Sequence, residues 1–386
     1  MTIDRLPQKC NKTFMRWNLQ ESGFLPNHDP VTHLSNSAFR DVERLGADLP
    51  RLVHDKTFRD DSFNYLAPSI EWDSALALME DPEIERLFVL FSYFASAYVH
   101  APGLLPVNRL PSYLAVPLVK ISKKLDRLPI LSYASYCLHN WRRLDAAKLI
   151  ALGNIELLQN FSLAGDGKKD EDWFILVHVD IEARAGAALC AVHSAPAVLA
   201  RNDPAEMIAL LEATAASLNA MNKTMARMPD GCSPEVYFRK VRPYIFGFEN
   251  LIYEGCFEDK PQNYRGETGA QSSIVPTMLA ALGIRHKDSL LTQHLEDMRQ
   301  YMPKPHREFI RAQVSVRGFV MQHGAHRMSE IYNECVRELL AFRSRHFEYA
   351  VNYIEKKVAN PIATGGTPYI PWLHQLIEET KEYFLV

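Results

Sequence analysis

From Asp73 to the end of the chain, helical periodicity runs almost without interruption, and this limits the fold more than any other feature. Apolar residues recur at spacings of three and four over 143–160, 172–192, 205–227, 235–248, 271–283, 288–301, 306–321, 327–358 and 370–384, the signature of helices with one buried face. No series of alternating β-branched runs is present to build a sheet, so an all-α protein is expected. Three helix starts are marked by a capping residue followed by proline: Asp81-Pro82, Asp203-Pro204-Ala205-Glu206 and Ser233-Pro234-Glu235. Before residue 70, Pro26, Pro30, Pro50 and Pro68 punctuate the chain, which predicts short segments there rather than long helices.

The chain has 386 residues, of which 47% are hydrophobic. A single core rarely grows beyond about 250–300 residues, so two unequal helical domains are expected: a small one over 1–162, a large C-terminal bundle over 171–386, and a linker at 163–170 where Ala164-Gly165-Asp166-Gly167 is rich in turn formers. A net charge of −3 offers no basic field for a polyanion, which argues against nucleic acid. The most apolar stretch, Leu87 to Val99, is shorter than the roughly 20 residues of a bilayer span and reads as a core helix. The first residues lack the apolar stretch of a secretory signal. Cys10, Cys137, Cys190, Cys232, Cys256 and Cys335 form no CxxC pair. Free thiols and a cytoplasmic location, without membrane contact, are the expectation.

Several residues carry potential chemistry. Ile331, Cys335, Leu339, Phe342, His346, Ala350 and Ile354 form one stripe of a long helix, with His346 at its centre. Such an imidazole is either a hydrogen-bonded core residue or an axial ligand meeting a flat macrocycle beside small Ala350. Arg343, one turn earlier, is either a surface arginine or the partner of a propionate. A second helix begins near Trp173-Phe174 and carries His178 and the small residues Ala183, Ala185, Gly186, Ala187 and Ala188. These suit close helix packing or the approach of a flat ligand. Tyr237, Phe238 and Arg242 lie within a turn of one another, an arrangement that fits an aromatic amino acid whose carboxylate is gripped by the guanidinium. The Gly266–Ser273 segment has no lysine before its serine pair, so a phosphate loop is rejected. HExxH and GxSxG motifs are absent.

These segments, in this order, resemble indoleamine 2,3-dioxygenases. The resemblance rests on the stretch from Leu110 to Trp141, Phe174 to Glu182, Tyr237 to Arg242, Tyr253-Glu254-Gly255, Gly269 to Ser273, Met298 to Pro303 with His306-Arg307, Phe342 to His346, and Thr364-Gly365-Gly366-Thr367. It covers roughly residues 100 to 380. It implies two helical domains enclosing a b-type haem, with His346 as the proximal iron ligand and Arg343, Gly269 and Ala270 beside the cofactor. It also implies a substrate pocket made by Tyr133, Phe174, Tyr237 and Phe238, with Arg242 holding the substrate carboxylate and Thr364 reaching the ammonium or a propionate.

Some positions depart from the animal pattern. His178 replaces a serine and resembles the pocket histidine of tryptophan 2,3-dioxygenase, Tyr237 replaces a phenylalanine, and Tyr136-Cys137 and Glu267-Thr268-Gly269 also differ. The implied reaction is insertion of O2 across the indole C2–C3 bond of tryptophan or a related indoleamine, giving an N-formylkynurenine-type product and requiring an electron donor to keep the haem ferrous. His178 is expected to contact the indole N–H without being an obligatory base, in a pocket short of carboxylates. Two other readings stand beside this one: an indole-modifying or rearranging haem enzyme, like the pyrrolnitrin-pathway relative, acting on a substituted or D-tryptophan; and a non-enzymatic haem or gas sensor.

Overall fold

The computed structural model describes residues 21–66, 70–323, 326–357 and 369–386. The fold is predominantly helical. Its longer helices are α1 (Arg40–His54), α2 (Asp81–Val99), α3 (Ser112–Lys124), α4 (Lys168–Arg184), α5 (Gly186–Arg201), α6 (Pro204–Met225), α7 (His326–Tyr353) and α8 (Tyr369–Lys381). Short strands β1 (Arg109–Leu110), β4 (Phe248–Tyr253) and β5 (Gln262–Tyr264) form a small sheet in the order β1-β4-β5, with β1 parallel and β5 antiparallel to β4. A separate hairpin pairs β2 (Trp141–Arg143) with β3 (Ile155–Leu157).

Capping chemistry sets the helix starts. Asp203 accepts hydrogen bonds from the backbone N–H groups of Ala205 and Glu206 at 2.9 and 3.1 Å, as Asp-Pro predicts. At α2 the cap lies one residue earlier than expected: Glu80 and Glu83 form a capping box, so Asp81 and Pro82 both fall inside the first turn. The apolar Leu87–Val99 run is a core helix, buried along nearly its whole length. No described helix is long and apolar enough to cross a membrane.

Three expectations fail for physical reasons. Residues before 70 include the 15-residue α1, which runs through Pro50. Proline removes the donor that would reach the Gly46 carbonyl, and Gln159 Nε2 supplies a replacement at 2.9 Å. The 143–160 stretch is not a helix but the β2–β3 hairpin. Leu144 and Leu149 point to solvent, while Asn154 holds the loop by donating to the Asp145 and Leu149 carbonyls. The 172–192 pattern is two helices, which meet at Ala185. There a Cβ on Gly186 would lie 1.6 Å from the Glu21 carbonyl oxygen, and one on Gly23 would lie 2.2 Å from that of Glu182. Gly186 therefore serves close packing of the chain on itself. Helix α4 itself starts at Lys168.

Buried apolar side chains form two clusters. One is built mainly from α1, α2 and α3, and β4 with Met298 and Tyr301 adds to it. The other is built from α5, α6 and α7 together with the helix Ile274–Leu282. Helix α4 serves both: Ile175 and Val179 belong to the first cluster, Val177 and Ile181 to the second, and Phe174 packs against each. A helix apolar on opposite sides is buried between layers, and this places the remaining face of α4 at the junction of the two.

Candidate active site

At that junction lies a cavity of about 1340 Å³, larger than the roughly 300–1,000 Å³ typical of a single small-ligand site. Helix α4 presents Phe174 and His178, one turn apart, and α7 presents Phe342, His346 and Ala350 at successive turns. The stripe anticipated on α7 thus divides: Cys335 and Leu339 are core, and from Phe342 onward the same face borders the cavity.

Two tyrosines reach the cavity from π-helical turns, Ala134–Leu138 and Tyr237–Val241. Tyr133 precedes the first and Tyr237 opens the second. Each turn is closed by a bond five residues apart, His139 N–H to the Ala134 carbonyl and Arg242 N–H to that of Tyr237. The extra residue widens the turn and re-aims the side chains, a device common at functional sites. Rings then close one wall: Phe174 stands 4.7 Å from Tyr237 and 4.8 Å from His178, and Tyr133 lies 6.0 Å from His178, centroid to centroid.

Hydrogen bonding sets the tautomer of His178. Its Nδ1 is 2.7 Å from the Phe174 carbonyl oxygen; that oxygen only accepts, so Nδ1 carries the proton. Burial lowers the pKa of the ring, which keeps it neutral and leaves Nε2 as an acceptor. His346 is open to the cavity yet enclosed by protein, and burial, with His178 as a lesser contributor, holds its imidazole down to about 4. A neutral imidazole has a lone pair to offer a metal.

Among the described residues no group of three or more His, Cys, Asp or Glu converges as a metal site. A single imidazole facing a large apolar cavity is the donor set of an iron whose other positions are filled by a macrocycle. Gly269 and Ala270 border the same space, and a Cβ on Gly269 would meet nothing within 4 Å. The residues present therefore fit a haem.

The other anticipated residues are placed as follows. Arg343 borders the cavity, but its guanidinium donates to the Leu376 carbonyl at 2.8 Å and to the Thr380 hydroxyl, and its Nη2 lies 3.0 Å from His286 Nε2. His286 in turn donates from Nδ1 to Glu379 at 2.7 Å. Arg343 thereby fastens α8 onto α7. Arg242 is buried with Phe246 at 4.6 Å and Phe238 at 5.6 Å from its guanidinium carbon. Among the described residues neither Arg242 nor Phe238 lines the cavity, whereas Tyr237 and Tyr369 do. Thr364 lies outside the described residues.

One expectation about the pocket is corrected. Rather than being short of carboxyl groups, the cavity is lined by Glu267, which is only 4% exposed and which burial pushes up to about 8. Glu182 sits behind Tyr133, likewise pushed up by burial, to about 7. No spacing signal marks Glu267, because it belongs to a loop and its burial depends on residues distant in sequence.

Comparison with known proteins adds a family. The sequence model described as indoleamine 2,3-dioxygenase matches residues 14–361. The chain is 30% identical to indoleamine 2,3-dioxygenase 1 of Rattus norvegicus over 395 residues, 95% of this chain and 94% of the rat protein. It is 28% identical to the indoleamine 2,3-dioxygenase of Saccharomyces cerevisiae, across 93% and 90% of the two chains. A 6-hydroxytryptophan 2,3-dioxygenase of Fusarium equiseti is 30% identical, across 86% of this chain and 82% of the fungal one.

Proposed function

The chain belongs to the indoleamine 2,3-dioxygenase family, whose members are haem dioxygenases, and from that premise we propose that it inserts both atoms of O2 across the indole C2–C3 bond of tryptophan or a related indoleamine. The observation that carries this reading is the cavity with His346 on one helix and the acceptor nitrogen of His178 on another. Haem, when bound, supplies the oxygen chemistry that no side chain of the protein provides.

The rest follows from the protein's own groups. His346, whose imidazole burial keeps neutral, would hold the haem iron. Phe174, Tyr133 and Tyr237 wall the pocket with aromatic surface and exclude water, and His178 Nε2 accepts the indole N–H, fixing the orientation of the ring. Arg242, which packs against Phe246 and Phe238, would turn its guanidinium toward the cavity to bind the substrate carboxylate. The product is of N-formylkynurenine type, and an electron donor maintains the ferrous state. The Arg242 clamp favours an enzyme over a gas sensor, which has no use for carboxylate recognition.

The reading is tested by loading the protein with haem, reducing it and supplying L-tryptophan under air. Formation of N-formylkynurenine, followed by absorbance and mass, is expected, and a His346→Ala variant should fail to retain haem. If the reduced, haem-loaded protein leaves tryptophan and its ring-substituted and D-forms unchanged, the reading is wrong.

A further inference from the structure

A buried histidine of the cavity wall lacks a hydrogen-bonding partner. His294 lies on the helix Leu290–Met298, whose start is fixed by a capping box: Ser289 Oγ accepts from the Thr292 N–H at 3.4 Å, and Thr292 Oγ1 accepts from the Ser289 N–H at 2.9 Å. Leu291, His294 and Met298, at spacings of three and four, form the buried face of that helix. His294 is only 9% exposed and borders the cavity, and its ring stands 5.3 Å from that of Trp372 on α8. Among the described residues no hydrogen bond reaches either of its ring nitrogens. Buried polar groups are otherwise nearly always paired, as His178 and His286 on the same cavity are.

His294 belongs to one continuous wall with the iron ligand. Arg343, one turn before His346 on α7, donates to the Leu376 carbonyl at 2.8 Å, and Trp372, one turn before Leu376 on α8, meets the ring of His294. These residues all line the cavity. The wall changes character along its course. Ile181, Met221 and Met225 line it as buried apolar side chains, whereas on the stretch of chain that carries His294 it is lined by Arg285, Asp288, Gln293 and Asp297, which are exposed, as is Arg311 nearby in the lining. A haem is two-sided in the same way, an apolar macrocycle with both carboxylates on one edge. Charge is expensive to strip of water, so the propionate edge turns toward the exposed polar part of the wall. Arg343, the residue expected beside a propionate, is already committed to the Leu376 carbonyl, the Thr380 hydroxyl and His286.

Resting on the haem reading of the cavity, we infer that His294 is a cofactor-binding residue that donates its ring N–H to a haem propionate. Burial lowers the pKa of this imidazole, so at neutral pH one nitrogen carries a proton. A propionate only accepts and that nitrogen only donates, which makes the two complementary. Arg285 and Arg311, which have no ion pair among the described residues, add positive charge to the same part of the lining. A purely structural His294 would act through its ring against Trp372 alone, a contact that phenylalanine reproduces.

The experiment compares haem with its dimethyl ester, in which both propionates are capped and uncharged. Wild type, His294→Phe and His294→Gln are each loaded with ferric haem or with the ester, and the rate at which the cofactor is lost to excess apomyoglobin is measured. His294→Phe should speed loss of haem about tenfold, as removal of one charge-assisted hydrogen bond predicts, while leaving loss of the ester and the absorption spectrum of the bound haem unchanged. His294→Gln, which still donates, should stay close to wild type; His294→Leu takes the apolar arm if the phenylalanine variant does not fold. Equal acceleration for haem and ester, no acceleration for haem, or a changed spectrum that makes His294 an iron ligand overturns the inference. Product formation from tryptophan by the reduced protein is scored separately. A His294-dependent difference between haem and ester without product would sustain the propionate contact while the dioxygenase reading fails, product with no such difference would do the reverse, and a protein that takes up neither cofactor would end both.

Discussion

Tyr133 donates its hydroxyl proton to Glu182 Oε1 at 2.9 Å, joining the π-helical turn beside the cavity to the helix that carries His178 one turn earlier. Ser272 donates to the same oxygen at 2.8 Å, so three separate segments meet on one buried carboxyl group. Tyr133→Phe keeps the ring and removes this bond alone. It should lower stability by about 0.5–1.5 kcal/mol, the net contribution of one neutral hydrogen bond. A urea midpoint unchanged from wild type would show that the bond contributes nothing.

Arg242→Ala should weaken binding of tryptophan while leaving the haem spectrum nearly intact. A charge-assisted hydrogen bond contributes about 1.5–3 kcal/mol, and each 1.4 kcal/mol is about a decade of affinity, so roughly ten- to hundredfold is expected. Titration of indole, which has no carboxylate, provides the control. Loss of indole binding with tryptophan binding preserved would remove Arg242 from the clamp.

His178→Ser exchanges a neutral acceptor for a smaller group. With Nδ1 committed to the Phe174 carbonyl, only Nε2 is available to the substrate, and the loss should be roughly tenfold or less in kcat/KM. The variant should also accept 1-methyltryptophan better, since the methyl group removes the donor and needs the vacated space. Complete inactivity with haem still bound would make His178 essential to the chemistry. An unchanged ratio of the two substrates would place it outside the pocket.

Buried carboxyl groups make stability depend on pH in a defined direction. Burial pushes Glu171 and Glu182 up to about 7 and Glu267 up to about 8, against about 4.3 in an unfolded chain. The folded protein then holds protons that the unfolded chain has released, so this stability is present at low pH and is lost as pH rises through the folded values. Histidines act oppositely at lower pH: burial holds His100 at about 4 and His306 at about 3, so their contribution is lost as pH falls below about 6.5. Between about pH 6.5 and 8 the glutamates act against no such counterweight, and the denaturation midpoint should fall. Glu267→Gln should fall less over that interval. A wild-type midpoint level across it would contradict the burial of these groups.

Residues close in sequence explain most of what was legible. Asp203 with Pro204 marks the start of α6 because the cap and its donors are neighbours in the chain. The apolar stripe of α7 is equally local, and it brings His346 to the cavity in line with Phe342 and Ala350. The 143–160 stretch misled for the same reason in reverse: its apolar spacing is compatible with a helix, but Leu144 and Leu149 have no layer to pack against, while Trp141 is buried and pairs β2 with β3.

The chain's own spacing determined that the protein is helical, where several helices begin, and that His346 lies on an apolar face; the order of its motifs determined the family. Tertiary structure alone decided that the α7 face opens onto a cavity instead of a core, that the Phe174 carbonyl fixes the tautomer of His178, and that Arg343 is bonded to α8. It alone brought Glu267 into the pocket, by crossing Gly266 against Ile245 and tying Gln271 to Tyr133 across 138 residues. Periodicity reports which side of an element avoids water, a property of adjacent residues. Whether that side meets another element or an enclosed space, and which charges are stripped of water there, depends on contacts between segments that local spacing does not encode.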